Sequence, residues 1–320
     1  MKKIVVFLAL ASPSAFAENK EGQVPKLGSG ELISPEDEQS ISNSRYQLGS
    51  EWGKQSFDES AIAALPTLKT IAEGTVFIGG ATGFYLGKFA GEHLVATNNH
   101  VCPSARICER GSVNFTRLNK RIPLKKLLGT YPSIDLAIVS ISPNDRDLDL
   151  LSTVKNPFDF DLALYPGQEL ITVGYGIANN PRRRQVGNWD SDCRVFSGEG
   201  EFRLMKDPDS LNPGQYETWS FANGCDVSHG DSGSAMIDRE TGRVIGIIWT
   251  GRIPKSSSVQ DSEYLDTLLE NPSEEIWTEL SYGVPAVKIR EKLSDEAKSG
   301  QLSQDVERVF TAIVEGQIEN

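Results

Sequence analysis

Apolar residues in the first half of the chain fall into short runs that glycine-rich or polar stretches separate. The runs are rich in β-branched and aromatic residues and occupy residues 74–86, 94–101, 112–118, 121–128 and 134–142. Runs of this length, bounded by turn residues and without a helical repeat, predict β-strands. Closing such short strands into a barrel removes their unpaired edges. We therefore predict an N-terminal β-barrel over residues 68–150.

A second set of apolar runs predicts another β-barrel over residues 151–255. Its strand-like runs occupy residues 166–176, 193–204, 216–222, 234–238 and 243–249. The last two flank a turn at residues 239–242 and read as a hairpin. The polar, turn-rich residues 143–161 contain many acids but do not match a calcium-binding loop. We interpret them as a solvated connection between the two barrels.

The pattern changes to a helical one near the C-terminus. Residues 252–280 are polar, with a short amphipathic patch, and read as an insertion or surface loop. A helix is then predicted from near Pro285 to Leu293, since proline is favoured in the first turn. Apolar residues at helical spacing predict a second helix between Leu302 and Val314. Residues 256–320 are thus an insertion loop and C-terminal helices.

The N-terminus has the features of a secretory signal peptide. Two lysines precede an apolar run that ends in Ala-Phe-Ala, so we predict cleavage after Ala17. The run is too short for a membrane anchor. Residues 18–67 read as a flexible leader, either a propeptide or a disordered tail, with one candidate cut between Arg45 and Tyr46. The mature protein is expected to be periplasmic or secreted and away from the membrane.

Charge and cysteine content narrow the classes of partner. Loss of Lys2 and Lys3 takes the formal net charge from −12 to −14, which disfavours nucleic acid and anionic membranes. Four cysteines in an exported chain without C-x-x-C pairs indicate two disulfides rather than a metal site. Of three pairings, we favour Cys102 with Cys108 and Cys193 with Cys225. No metal or cofactor is predicted.

Three residues form a candidate catalytic set. Ser232 lies in the sequence GDSGS at residues 230–234, where glycines on both sides permit a tight turn. A serine nucleophile needs a base and a carboxylate that orients it. Among the histidines at 93, 100 and 229, only His100 ends an apolar strand, and Asp135 is a lone acid that begins another. Turn serine, packed histidine and strand-start acid are the non-catalytic interpretations of these residues taken singly.

The chain order histidine, aspartate, serine is that of chymotrypsin-like enzymes, whereas subtilisins and α/β-hydrolases order the residues differently. With TNNHV at residues 97–101, DLAIV at 135–139 and GDSGS, residues 70–255 resemble the trypsin-like serine proteases. Within that family the chain most resembles the bacterial glutamyl-endopeptidase-like branch, through Gly-Ser-Ala after the nucleophile and VIGIIWTG at 244–251. The resemblance implies an all-β fold of two antiparallel six-stranded barrels of the chymotrypsin type.

The resemblance also implies roles for residues around Ser232. Backbone N–H groups of Gly230 and Ser232 would form the oxyanion hole, and Asp231 would shape the loop. Substrate would contact Val227, His229, Trp249, Thr250 and Gly251. Asp226 is either a pocket acid that favours Arg or Lys substrates or a structural acid. Glutamyl enzymes place a histidine where this chain has Ile248, and His229 is a candidate substitute cation.

These observations predict an exported serine endopeptidase that acts on protein or peptide substrates through an acyl-enzyme. A propeptide or a protease inhibitor would be a further partner. The alternatives are a non-catalytic protein-binding module on the same fold, whose signature would be a missing catalytic residue, and an esterase, which uses the same acyl chemistry.

Overall fold

A computed structural model describes residues 43–56 and 67–319. The predicted signal peptide, residues 1–17, lies outside these ranges. Within them, no helix has the length and apolar character needed to cross a bilayer.

The described chain is mostly β-structure. In chain order its strands are β1 Lys54–Ser56, β2 Thr75–Ile78, β3 Ala81–Phe89, β4 Glu92–Thr97, β5 Ser112–Phe115, β6 Lys120–Tyr131, β7 Leu136–Ile141, β8 Leu170–Gly174, β9 Val186–Asn188, β10 Arg203–Lys206, β11 Glu217–Asn223, β12 Ala235–Asp238, β13 Val244–Gly251 and β14 Ser281–Pro285. Its α-helices are α1 Thr67–Gly74, α2 Ala105–Cys108, α3 Asp145–Leu151, α4 Ser262–Glu270, α5 Ala286–Lys298 and α6 Gln304–Val314. Short 3₁₀ turns occur at Pro132–Ile134, Ser258–Gln260 and Glu274–Trp277.

The first six-stranded unit is the predicted N-terminal barrel. It closes in the order β2-β3-β4-β7-β6-β5, and all six residues of β7 are buried. Val95 and Val139 are partners across β4 and β7, and both are fully buried in the barrel core. The apolar runs that predicted strands therefore form the strands of this barrel, because each run contributes side chains to the barrel interior.

The second unit is an eight-stranded sheet in the order β1-β9-β8-β12-β13-β14-β11-β10. β12 and β13 form the predicted hairpin. Two isolated bridges, Glu169 to Arg194 and Val195 to Asn223, also join one short segment to the ends of β8 and β11. Closure of this unit into a second six-stranded barrel stays a prediction.

Both predicted C-terminal helices are present. α5 begins directly after Pro285, and its buried residues Ile289 and Leu293 belong to the core cluster that includes the second sheet. α6 adds Val309 and Phe310 to the same cluster. The helical spacing of apolar residues therefore identifies the buried face of each helix: α5 packs against β13 and β14 of the second sheet, and α6 packs against α5 and β3.

Two segments predicted to be loops contain helices. α3 lies in the charged connection at residues 143–161 and begins with a capping box, in which Asn144 and Asp147 bond to each other's backbone N–H. α4 lies in the predicted insertion and buries Leu265 and Leu268. Both helices are short, and α3 buries one leucine and α4 two, so their mainly polar sequence gave little helical signal.

The predicted flexible leader, residues 18–67, includes a segment that is packed against the folded chain, residues 43–56. Leu48 is fully buried, and β1 pairs with β9 at the edge of the second sheet. The Arg45 carbonyl accepts the backbone N–H of Lys255 at 2.9 Å, so the candidate cut beside Arg45 falls in ordered chain. A few anchors in a polar segment leave no apolar repeat, and this explains why the sequence pattern missed the packing.

The disulfides are those predicted. Cys102 pairs with Cys108, and Cys193 pairs with Cys225. The first closes a loop directly after β4, and the second joins two segments of the second unit.

Candidate active site

A cleft of about 670 Å³ brings the three candidate catalytic residues together, and it is lined by His100, Asp135 and Ser232. The strand topology explains why His100 and Asp135 lie close together. β4 and β7 are antiparallel neighbours with Thr97 opposite Ala137, so the end of β4 meets the start of β7. His100 follows β4 and Asp135 precedes β7, which places both at one edge of the barrel. Ser232 arrives from the second unit, in the loop before β12.

The His100 imidazole is oriented by Asp135. Its Nδ1 lies 2.7 Å from Asp135 Oδ2, and the His100 backbone N–H donates to Asp135 Oδ1 at 3.0 Å. Asn98 Nδ2 donates to the Asp135 carbonyl at 2.7 Å and fixes the backbone below it. The carboxylate is buried, whereas the imidazole is half-exposed toward the cleft. A buried acid bonded to Nδ1 leaves Nε2 as the ring atom available to a substrate or nucleophile.

The pKa of His100 reflects two opposing influences. Burial acts to lower it, but the hydrogen bond to Asp135 and the negative charges of Asp135 and Asp207 act to raise it. The net effect raises the pKa of His100 above its ordinary value of 6.5. The Asp135 carboxylate therefore stabilises the protonated form of the His100 ring.

The Ser232 loop is held by the first barrel. The Thr82 backbone N–H donates to the Ser232 carbonyl at 3.0 Å, and Thr82 Oγ1 donates to the Gly230 carbonyl at 2.7 Å. Ser232 and His100 both lie in the described part of the chain, and the Ser232 hydroxyl makes no hydrogen bond to the His100 ring there. Such bonds are often long without substrate and tighten in the complex.

Two backbone N–H groups of the Ser232 loop, those of Gly230 and Ser232, are the candidate oxyanion-hole donors. Gly230 has φ +96°, and a Cβ there would lie 2.7 Å from the Tyr175 carbonyl oxygen, so this position requires glycine. Within the described chain, the N–H groups of Gly230 and Ser232 donate to no protein acceptor. They are therefore available to bind a developing oxyanion.

Five of the six predicted substrate-contact residues line the cleft. They are Val227, His229, Trp249, Thr250 and Gly251. Asp226 does not line the cleft, and its contacts favour the structural role over the pocket role. Its carboxylate is buried and accepts the backbone N–H of Leu48 at 2.7 Å and of Gly53 at 2.8 Å. Asp226 therefore anchors the N-terminal segment, and burial raises its pKa to about 8.

Two acids that line the cleft, Asp207 and Asp209, were not predicted. Asp209 Oδ2 lies 2.7 Å from His229 Nε2, and Asp207 accepts the Thr250 hydroxyl and the Gly214 backbone N–H. Burial raises the pKa of Asp207. Internal donors satisfy both carboxylates, and His229 is paired with an acid rather than presented to the cleft as an isolated cation.

Lys255 is a buried cation close to the cleft wall. Its Nζ donates to Ser281 Oγ at 3.0 Å and forms no ion pair with any residue in the described ranges. The Nζ lies 3.2 Å from the point that a Cβ of Gly251 would occupy, and Gly251 lines the cleft. Burial lowers the pKa of Lys255 to about 7, although the charge of Asp226 acts to raise it.

The sequence predicted site residues that lie where strands begin or end, and it did not predict site residues that reach the cleft only through long-range contacts. Thr82 is one β-former among many in β3, and Lys255 lies in a polar stretch. Neither position carries a motif, so only the folded contacts identify them. No cluster of three or more His, Cys, Asp or Glu side chains in the described ranges is arranged as a metal site.

Comparison with known families agrees with this geometry. A family model described as a trypsin-like peptidase domain matches residues 81–247, which is over half of the chain. The chain belongs to the trypsin-like peptidase domain family. The matched range includes His100, Asp135 and Ser232. A search of curated proteins gave no match.

Solved structures with low sequence identity are also similar. The active form of the Rv3671c protease from M. tuberculosis has 17% identity and a TM-score of 0.45, with 78% of this chain and 90% of that chain covered. An HtrA-type protease, AlgW with tripeptide, has 17% identity and a TM-score of 0.46, with 73% of this chain and 64% of that chain covered.

Proposed function

We propose that this protein is an exported serine endopeptidase in which Ser232, His100 and Asp135 form the catalytic triad. The observation that carries the proposal is the His100–Asp135 pair, which opens on the same cleft as Ser232 and two N–H groups without protein acceptors. The family match supports peptidase chemistry. The predicted signal peptide and the two disulfides support action on proteins in the periplasm or outside the cell.

The mechanism follows from the proposed roles. His100 Nε2 takes the proton of the Ser232 hydroxyl as its oxygen attacks a peptide carbonyl, and the N–H groups of Gly230 and Ser232 stabilise the resulting oxyanion. The same proton passes to the leaving amine as the C–N bond breaks. Water then repeats the sequence on the acyl-enzyme and releases the acid. Asp135 holds the ring tautomer and stabilises the imidazolium in both steps.

Cleavage-site profiling tests the proposal against the two alternatives. The mature protein is incubated with a peptide library and with a set of acyl esters, and products are identified by mass spectrometry. An endopeptidase cuts internal peptide bonds, an esterase cuts only the esters, and a non-catalytic binding module leaves both intact. The last two outcomes contradict the proposed function.

We further propose that the substrate side chain beside the scissile bond is acidic, as in the glutamyl-endopeptidase-like branch. Lys255 supports this preference, since a buried ammonium without an ion pair gains most from an incoming carboxylate. Asp226 supports it too, because its oxygens are committed to Leu48 and Gly53 and do not offer a partner for a basic side chain. Gly251 leaves space between the cleft and the ammonium.

Replacing Lys255 by methionine should lower kcat/KM for substrates with Glu at this position by about 10- to 100-fold, the scale of one charge-assisted hydrogen bond. Substrates with a neutral side chain should change less than threefold, and exposed Lys126→Met should change neither. In the wild type, the preference should weaken as pH rises through about 7, because Lys255 loses its proton there. Predominant cleavage after Arg or Lys would refute this preference and implicate Asp207 and Asp209.

A further inference from the structure

The acid that precedes Ser232 is held by a cation from the N-terminal segment. The Asp231 carboxylate accepts the backbone N–H of Gly176 at 3.0 Å and of Ser228 at 2.8 Å. The Ser228 hydroxyl donates to Asp231 Oδ2 at 2.9 Å, and the Lys54 ammonium forms an ion pair with the same oxygen. The Lys54 and Asp231 side chains are only 4% and 6% exposed. The pair is therefore shielded from solvent, and a buried ion pair is screened less than an exposed one.

Lys54 reaches this position because residues 43–56 are anchored on both sides of it. Upstream, Leu48 and Gly53 donate their N–H groups to Asp226, and Leu48 is fully buried. Lys54 itself is the first residue of β1, opposite Asn188 of β9. Two separate acids of the nucleophile loop, Asp226 and Asp231, are thus bound by one stretch of chain that lies far away in sequence.

The pair lies one residue from the catalytic groups. Asp231 is between Gly230 and Ser232, whose N–H groups form the proposed oxyanion hole. The other side of this loop is held by Thr82, which bonds to the carbonyls of Gly230 and Ser232. Loss of the ammonium would leave a buried carboxylate without its counter-charge, and that carboxylate would be driven toward water. Such a movement turns the neighbouring peptide N–H groups away from the substrate carbonyl.

We propose that Lys54 is a positioning residue, whose ammonium holds Asp231 and thereby sets the oxyanion hole. The inference rests on the proposed peptidase function. It makes residues 43–56 part of the active enzyme, so that any activating cleavage of the leader must fall before this segment. The cation that pairs with Asp231 is thus a side chain, that of Lys54.

The test compares Lys54→Met with Lys54→Arg and with exposed Lys69→Met, using a peptide that the wild type cleaves. Lys54→Met should lower kcat by about 10²- to 10³-fold, as does the loss of an oxyanion-hole donor, with KM changed less than threefold. Affinity for a peptide aldehyde, which forms a tetrahedral adduct, should fall by a similar factor, while affinity for the product peptide should not. Lys54→Arg should retain kcat to within about tenfold, and Lys69→Met should match the wild type.

Thermal unfolding shows whether Lys54→Met folds at the assay temperature. If it does not, the double variant Lys54→Gln with Asp231→Asn removes both charges and leaves two neutral amides in contact, and it should fold with kcat still at least tenfold reduced. Wild-type kcat in a folded Lys54→Met or in the double variant overturns the inference. Equal losses of aldehyde and product affinity would also overturn it. A wild type that cleaves no peptide instead refutes the proposed function.

Discussion

Replacing Ser232 by alanine is expected to reduce kcat for peptide hydrolysis by about 10⁶-fold, as removal of a triad nucleophile does. Without the hydroxyl no acyl-enzyme forms, and only weak attack by water remains, assisted by the N–H groups of Gly230 and Ser232. The measurement is the initial rate of peptide cleavage with purified mature protein. Residual hydrolysis should produce no acyl-enzyme burst.

The Ser232→Ala fold should be intact, because the Ser232 hydroxyl makes no hydrogen bond to His100 in the described chain, and the loop is held through the Ser232 carbonyl. Its thermal transition should lie close to that of the wild type. Ser299→Ala, at the exposed end of α5, is the matched control and should retain full activity. Proteolysis in Ser232→Ala at the wild-type rate would remove Ser232 from the mechanism.

Replacing Asp135 by asparagine should lower kcat by about 10⁴-fold, because an amide no longer fixes the His100 tautomer or stabilises its protonated form. The pH profile of kcat/KM should also change. In the wild type, the acidic limb should lie above pH 6.5, since Asp135 raises the pKa of the base that must be deprotonated. In Asp135→Asn, burial acts without the carboxylate, and the limb should move to lower pH.

Exposed Asp149→Asn is the matched control for Asp135→Asn and should leave both kcat and the limb unchanged. An Asp135→Asn profile that falls in magnitude but keeps the acidic limb of the wild type would separate Asp135 from the titration of His100. The assignment of Asp135 as the orienting carboxylate would then be wrong.

The candidate catalytic residues were predictable because each lies where a recognisable strand ends or begins. His100 and Asp135 flank two strands whose interiors are continuous apolar runs, and antiparallel pairing of those strands brings the residues together. Ser232 lies between glycines, and Gly230 adopts a backbone conformation that few other residues accept. In each case, local sequence specifies local geometry.

The residues around the candidate catalytic set could not be predicted, because no local sequence feature marks them. Lys54 and Lys255 are charged residues in polar stretches, where a solvated surface is the usual outcome, and only burial by distant chain gives them a role. Asp226 was correctly located beside the nucleophile loop, but the direction of its carboxylate depends on residues 48–53, which carry no apolar pattern. Long-range contacts between polar groups leave no periodic signal in a sequence.

The elements of the fold likewise divide into those that the sequence predicted and those that it did not. Strands and the two C-terminal helices follow the apolar repeat, because each buries one face in the core. The short helices α3 and α4 are specified by capping and by a few buried leucines, as at Leu265 and Leu268, in otherwise polar sequence. The packed segment before β1 depends on hydrogen bonds to buried acids, and composition alone does not reveal such bonds.

The most direct test of the central claim is covalent labelling of the mature protein with a fluorophosphonate, followed by peptide mapping. The account predicts one phosphonylated residue, Ser232, with labelling that is strongly reduced by Asp135→Asn and absent in Ser232→Ala. Labelling at another serine, or an unlabelled Ser232 in a protein that cleaves peptides, would contradict the claim that Ser232 is the nucleophile of a trypsin-like triad.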